Sequence, residues 1–206
     1  MTLEILLTIV FFALSVIIHE VSHGFIANKL GDPTAKLSGR LTLNPISHID
    51  PIGSILIPAL LFFSGTRFLF GWAKPVPINP INFTNPKKDM LKVAVAGPIS
   101  NLVVGFIAFV IWRLVPETLV ISSVMVNTFS LNITLAIFNM IPVFPLDGSK
   151  VLAGLLPYNL EYKYRQYEKY GTFILLFIIF TGLTDVIFRF FVPIILGIYS
   201  LLTFWI

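Results

Sequence analysis

Apolar residues fill positions 3–18 with only Glu4, Thr8 and Ser15 interrupting them, and a more mixed stretch carries the pattern on to residue 30. A helix over 3–30 rises 1.5 Å per residue and is long enough to cross a hydrocarbon layer of about 30 Å. Gly31-Asp32-Pro33 supplies its stop. Two later runs, 90–112 closed by Arg113 and 119–140, predict two more spans. Residues 52–64 are apolar too, but the run is short and holds Pro58, which suits a re-entrant or tilted hairpin better than a span. Residues 38–44 alternate, and read either as a short membrane-proximal strand or as a turn-rich connection. As a strand, their edge would offer an extended substrate a place to pair. Residues 74–80, Lys-Pro-Val-Pro-Ile-Asn-Pro, exclude regular helix and cannot complete a sheet ladder. Apolar stretches 172–188 and 190–206, with Asp185 and Arg189 among them, fit a helical hairpin or one long bent element. The pattern therefore predicts an all-α multi-pass membrane protein with about five or six membrane helices, a re-entrant segment and a short β element. It forms one domain over 1–206, with a core at about 5–155 and C-terminal helices at about 171–206.

Composition agrees. Of 206 residues, 56% are hydrophobic and 12% charged, and mean hydropathy is +0.91. A soluble domain of this size cannot hide that much apolar surface, so the lipid bilayer is the expected partner. The net charge of +4 needs no nucleic acid to explain it. Nearly all Lys and Arg fall in loops 29–50, 67–89 and 142–170, which places those loops in the cytoplasm of a cell-membrane protein. The first segment then runs inward, 52–64 turns back, the third runs outward and the fourth inward. That first segment lacks a basic leader and exceeds the usual signal-peptide core, so it reads as a retained span. No cysteine is present, so any zinc relies on histidine and carboxylate.

The chemistry concentrates in His19-Glu20-Val21-Ser22-His23. Residues four apart share a helix face, so His19 and His23 can offer two imidazoles to one metal ion. Glu20 follows round the turn, where it can act as general base toward a water activated by the metal. Such residues are costly in lipid-spanning sequence and point to function. The bland alternative is a buried polar pair fixing helix contacts, which leaves the spacing unexplained. Gly97, Asn101 and Gly105 fall four apart and make a small face for close helix approach, with Asn101 an amide in the hydrocarbon. Thr128, Asn132, Ala136 and Asn139 form a stripe expected to face a water-accessible site. Asp147, after the breaks at Pro142 and Pro145, is either the third ligand or the cap of a helix over 148–156, and the residues alone leave both open. His48 is a third-ligand option of lesser weight, because a loop histidine more often serves hydrogen bonding.

Taken together, His19-Glu20-Val21-Ser22-His23, Gly97-Pro98-Ile99-Ser100-Asn101 and the run from Asn139 through Pro142 and Pro145 to Leu146-Asp147-Gly148 resemble the site-2 protease family of intramembrane zinc metalloproteases. Residues 43–50 and 71–83 look like its compact subgroup, and Phe144 departs from a position where that family commonly has proline. The resemblance implies that His19, His23 and Asp147 bind one zinc ion per chain and that Glu20 moves the proton. It also implies that Asn101 and Asn139 lie near the site, holding substrate or a developing oxyanion. The implied substrate is a membrane-spanning helix that must locally unwind, cleaved toward the cytoplasmic side. Residues 1–206 leave no room for the PDZ or CBS domains that some relatives use. Competing readings are an inactive protein that only binds transmembrane segments, an ion conduit, and a membrane-anchored zincin with a cytoplasmic active site.

Overall fold

In the computed structural model, which describes residues 2–65, 71 and 73–205, the first apolar run is a single helix, α1 (Thr2–Lys29). Gly31, with φ +103, takes the left-handed conformation that ends it. A one-turn helix α2 (Thr34–Leu37) follows, and 38–44 form turns and bends. The expected strand there is not found, and no strand occurs among the described residues. The backbone N–H groups of Ser38, Gly39 and Arg40 are spent on closing α2, at Thr34, Lys36 and Ala35, so these three donors do not serve a ladder.

The short apolar stretch is one helical run rather than a hairpin. A π-helical turn (Pro51–Leu56), capped by the Asp50 carboxylate, leads into α3 (Ile57–Phe63). At helical rise it is roughly 20 Å long, too short to cross. Arg67, one of the cations used to orient the chain, lies outside the described residues.

Helix α4 (Pro86–Leu114) starts earlier than its apolar run, because Asn85 caps it and Pro86 fills its first turn. Then come α5 (Val120–Asn139), α6 (Asp147–Leu155), α7 (Tyr158–Arg165), α8 (Gly171–Phe180) and α9 (Leu183–Leu202). The C-terminal break falls at Gly182, whose φ of +72 suits glycine, while Asp185 and Arg189 lie inside α9. Four described helices, α1, α4, α5 and α9, are long and apolar enough to cross a membrane. The expected five or six is thus higher than the count that length supports among the described residues.

Side-chain pairs set the directions of these helices. His23 meets Val93 and Ser15 meets Asn101, so α1 and α4 are antiparallel. Asn101 meets Asn132, and Phe109 stacks edge-on against Phe129, so α5 reverses again. Phe109, Trp112, Phe129 and Tyr199 fill the core on the side away from the histidines. The outer faces of α1, α8 and α9 expose Leu6, Ile9, Phe173, Phe177 and Phe190, as expected of lipid-facing helices.

Candidate metal centre

Helical periodicity puts His19 and His23 on one side of α1, and that side is buried against α4. Their Nε2 atoms are 3.1 Å apart, and Asp147 Oδ2 lies 3.1 Å from each. All three residues are buried, each 6% exposed. Asp147 is the first residue of α6, and the cap position is Leu146, with no side-chain cap. Its carboxylate therefore serves the histidines and, through Oδ1, Lys150 at 3.1 Å; it does not cap α6.

The ring protons decide what this triangle wants. His19 Nδ1 lies 2.6 Å from Asn101 Oδ1, and His23 Nδ1 lies 2.7 Å from the Val93 carbonyl. A carbonyl oxygen only accepts, so each Nδ1 carries the proton and each Nε2 presents a lone pair. Two lone pairs and a carboxylate oxygen then converge at 3.1 Å with no hydrogen between them, which is unfavourable unless a cation shares them. In tetrahedral zinc sites with bonds of ~2.0–2.1 Å, ligand atoms stand about 3.3 Å apart, slightly wider than here. Gly97 completes the cradle: a Cβ built on it falls 2.5 Å from His23 Nε2 and 2.6 Å from His19 Nε2. The donor set and the space above it fit a zinc ion.

Glu20 follows His19 on α1 and is half-buried. Its Oε2 accepts a hydrogen bond from the Val76 N–H at 2.9 Å. Val76 sits between Pro75 and Pro77 in an extended strap anchored to the α1–α3 loops at several points. Arg40 Nη2 donates to the Lys74 carbonyl at 2.6 Å, Lys74 N–H to the His48 carbonyl at 2.9 Å, and Asn79 N–H to Asp32 at 2.7 Å. Gly24 makes room beneath: a Cβ there falls 2.7 Å from Val76 Cγ1.

His48 stays outside the three-residue group, its Nε2 donating to the Thr42 carbonyl at 2.8 Å. Asn101 lies near the site but behind His19, fully buried. Its Oδ1 is on His19, and its Nδ2 is on Asn132 at 2.9 Å and the Ser15 carbonyl at 3.4 Å, so both amide N–H groups point away from substrate or an oxyanion. Asn139, half-buried at the end of α5, donates to the Leu135 carbonyl at 3.0 Å and is not part of the triangle. Asn132 bonds α4 and α1, and Thr128 bonds the Val124 carbonyl within α5; with Ala136 they are 0–3% exposed, so most of the expected water-facing stripe is buried in the bundle. Sequence reasoning missed the Val93 carbonyl, which leaves no trace in residue type. It also missed Val76, whose signal was present: it holds the only N–H between two prolines.

The histidine–carboxylate cradle beside a glutamate on a membrane-length helix offers a donor set that a zinc ion would fit. The sequence profile described as Peptidase family M50 matches residues 114–182, a stretch that includes Asp147 but not the histidines. A Bacillus subtilis protein named "Putative zinc metalloprotease YwhC" is 40% identical over 174 residues, 80% of this chain and 76% of that protein. "Putative zinc metalloprotease Rip2" of Mycolicibacterium smegmatis is 30% identical over 145 residues, 69% of this chain and 54% of that protein. "Zinc metalloprotease MJ0392" of Methanocaldococcus jannaschii is 24% identical over 142 residues, 69% of this chain and 32% of that protein. This chain thus spans about half of the second and a third of the third. No solved structure matches it. The chain belongs to peptidase family M50, the site-2 proteases, and is a membrane zinc metalloprotease.

Proposed function

We propose that the chain is an intramembrane endopeptidase, holding one zinc through His19, His23 and Asp147 and cutting peptide bonds in or near transmembrane segments. The observation that carries this reading is the meeting of three proton-free donor atoms 3.1 Å apart on buried side chains. A zinc ion held there would supply Lewis acidity toward a water and the scissile carbonyl. Glu20 takes the proton of the attacking water and delivers it to the leaving amine. Its carboxylate is aimed for that task by the Val76 N–H. Burial of the triangle in an apolar bundle keeps other water away and strengthens each charge interaction. Asn139, at the helix break that delivers Asp147, holds the substrate backbone.

The substrate arrives from the lipid. Supporting this is an apolar cavity of about 580 Å³ between α4, α5 and α9, lined by Pro98, Met140, Ile141 and Pro142 among others. His19 is ten residues from the end of α1, roughly 15 Å inside it, and the charge bias puts that end in the cytoplasm. Cleavage therefore falls toward the cytoplasmic side. The test is a panel of single-span substrates in detergent, with wild type beside Glu20→Gln. Glu20→Gln should keep its zinc and lose cleavage. Cleavage by metal-free wild type, or undiminished cleavage by Glu20→Gln, overturns the reading.

A further inference from the structure

Behind His19 runs a chain of polar side chains with no access to water. Asn101 and Asn132 are 0% exposed and Ser15 is 1% exposed. Ser15 Oγ donates to the Phe11 carbonyl at 2.7 Å, so it offers only lone pairs in the other direction. Asn132 Nδ2 donates to Ser15 Oγ at 2.8 Å and to the Thr128 carbonyl at 2.8 Å. Both partners only accept at those contacts, so the Asn132 amide has one permitted orientation, with Oδ1 toward α4. Asn101 must answer with Nδ2, at 2.9 Å, and the same Nδ2 lies 3.4 Å from the Ser15 carbonyl. Asn101 Oδ1 is thereby turned to His19 Nδ1 at 2.6 Å. Two backbone carbonyls, of Phe11 and Thr128, dictate through three side chains which nitrogen of His19 carries the proton.

We propose that Asn132, with Ser15, is a positioning residue for the metal centre. By fixing the Asn101 amide it keeps the proton on His19 Nδ1 and leaves Nε2 bare toward Asp147. Without Asn132 only the 3.4 Å contact with the Ser15 carbonyl opposes rotation of the Asn101 amide, and a rotated amide presents N–H to Nδ1. That stabilises the tautomer with its proton on Nε2, where the metal belongs. In a lipid-embedded bundle no water replaces the lost partner, so the bias persists. The inference rests on His19 being a zinc ligand.

The test uses the full chain in detergent as wild type, Asn132→Leu, Ser15→Ala and Ser15→Thr. Zinc affinity is read by chelator competition, and the His19 tautomer by ¹⁵N NMR of the metal-free protein. Groups that orient a metal-bound histidine are worth roughly 10–100-fold in affinity, and the more remote Asn132 is expected at about tenfold. Asn132→Leu should weaken zinc by that factor and shift the His19 signals toward the Nε2-protonated form; Ser15→Ala, which leaves the Thr128 carbonyl holding Asn132, should do both to a smaller extent, while Ser15→Thr keeps wild-type values. A general loss of stability does not change the tautomer. Should Asn132→Leu fail to fold, Ser15→Ala, which removes one hydroxyl from a helix, carries the test. Wild-type affinity and tautomer in the folded variants overturn this proposal alone. Wild type that binds no zinc overturns the functional reading and this proposal with it.

Discussion

Val76 donates its backbone N–H to Glu20 Oε2 across 2.9 Å, joining an irregular proline-rich strap to the glutamate of a transmembrane helix. Pro75 and Pro77 have no N–H, so this contact has no neighbouring substitute. Val76→Pro removes the donor, whereas Val76→Ala keeps it and trims only packing. A hydrogen bond to a charged group is worth about 1.5 kcal/mol, so Val76→Pro should lower kcat about tenfold relative to Val76→Ala. Zinc content and KM should stay near the wild-type values, as steady-state kinetics and metal analysis would check.

Gly97 is required by space rather than by backbone freedom. A methyl there lands 2.5–2.6 Å from both Nε2 atoms. Gly97→Ala should fold and lose zinc affinity by ~100-fold or more, since the methyl competes for the ligand positions. Gly197→Ala is the control, because a Cβ there meets nothing within 4 Å. It should leave affinity within about twofold and change stability by no more than ~1 kcal/mol.

Asp147 and Lys150 form an ion pair at 3.1 Å, but they should not matter equally. Asp147→Asn removes a ligand charge between two buried imidazoles, and affinity should fall about 100-fold. Lys150 is 42% exposed, and a pair open to solvent is worth under ~1 kcal/mol, so Lys150→Ala should change affinity by less than about fivefold. Competition titration separates the two.

Acid should loosen the strap through Asp32. Burial by itself pushes this carboxyl up. Hydrogen bonds from the Thr34 hydroxyl, the Asn82 amide, and the N–H groups of Asn79 and Thr34 outweigh burial and hold it below its ordinary value. A depressed folded-state value contributes stability that is complete above the unfolded value of about 3.9 and is lost as pH falls through the lower folded one. Asp32→Asn should therefore lower the unfolding midpoint by about 5 °C at pH 6.5. The gap to wild type should persist down to about pH 4 and close below it, as thermal unfolding across pH would show.

The local pattern was enough for what depends on local physics. Apolar runs gave α1, α4 and α5 nearly to their ends, because a helix that must satisfy its own backbone in lipid is dictated residue by residue. Four-residue spacing put His19 and His23 together for the same reason. The pattern left the C-terminal region open between a hairpin and one bent element; Gly182 set the break by its backbone conformation, and Arg189 did not interrupt the helix. For 38–44 the pattern left strand and turn-rich connection both open, and closing α2 takes up the N–H groups of residues 38–40 in turns.

What only the tertiary structure decided is who partners whom across the chain. Asp147 had two readings of equal standing by sequence, as cap or as ligand. The turn between α5 and α6 aims its carboxylate 128 positions back along the chain at His19, and leaves the cap position to Leu146. Asn101 and Asn132 look alike as amides in hydrocarbon. Packing turns the first onto His19 and the second onto the first. Such choices depend on which helix faces which, and residue spacing within one helix carries no information about its neighbours.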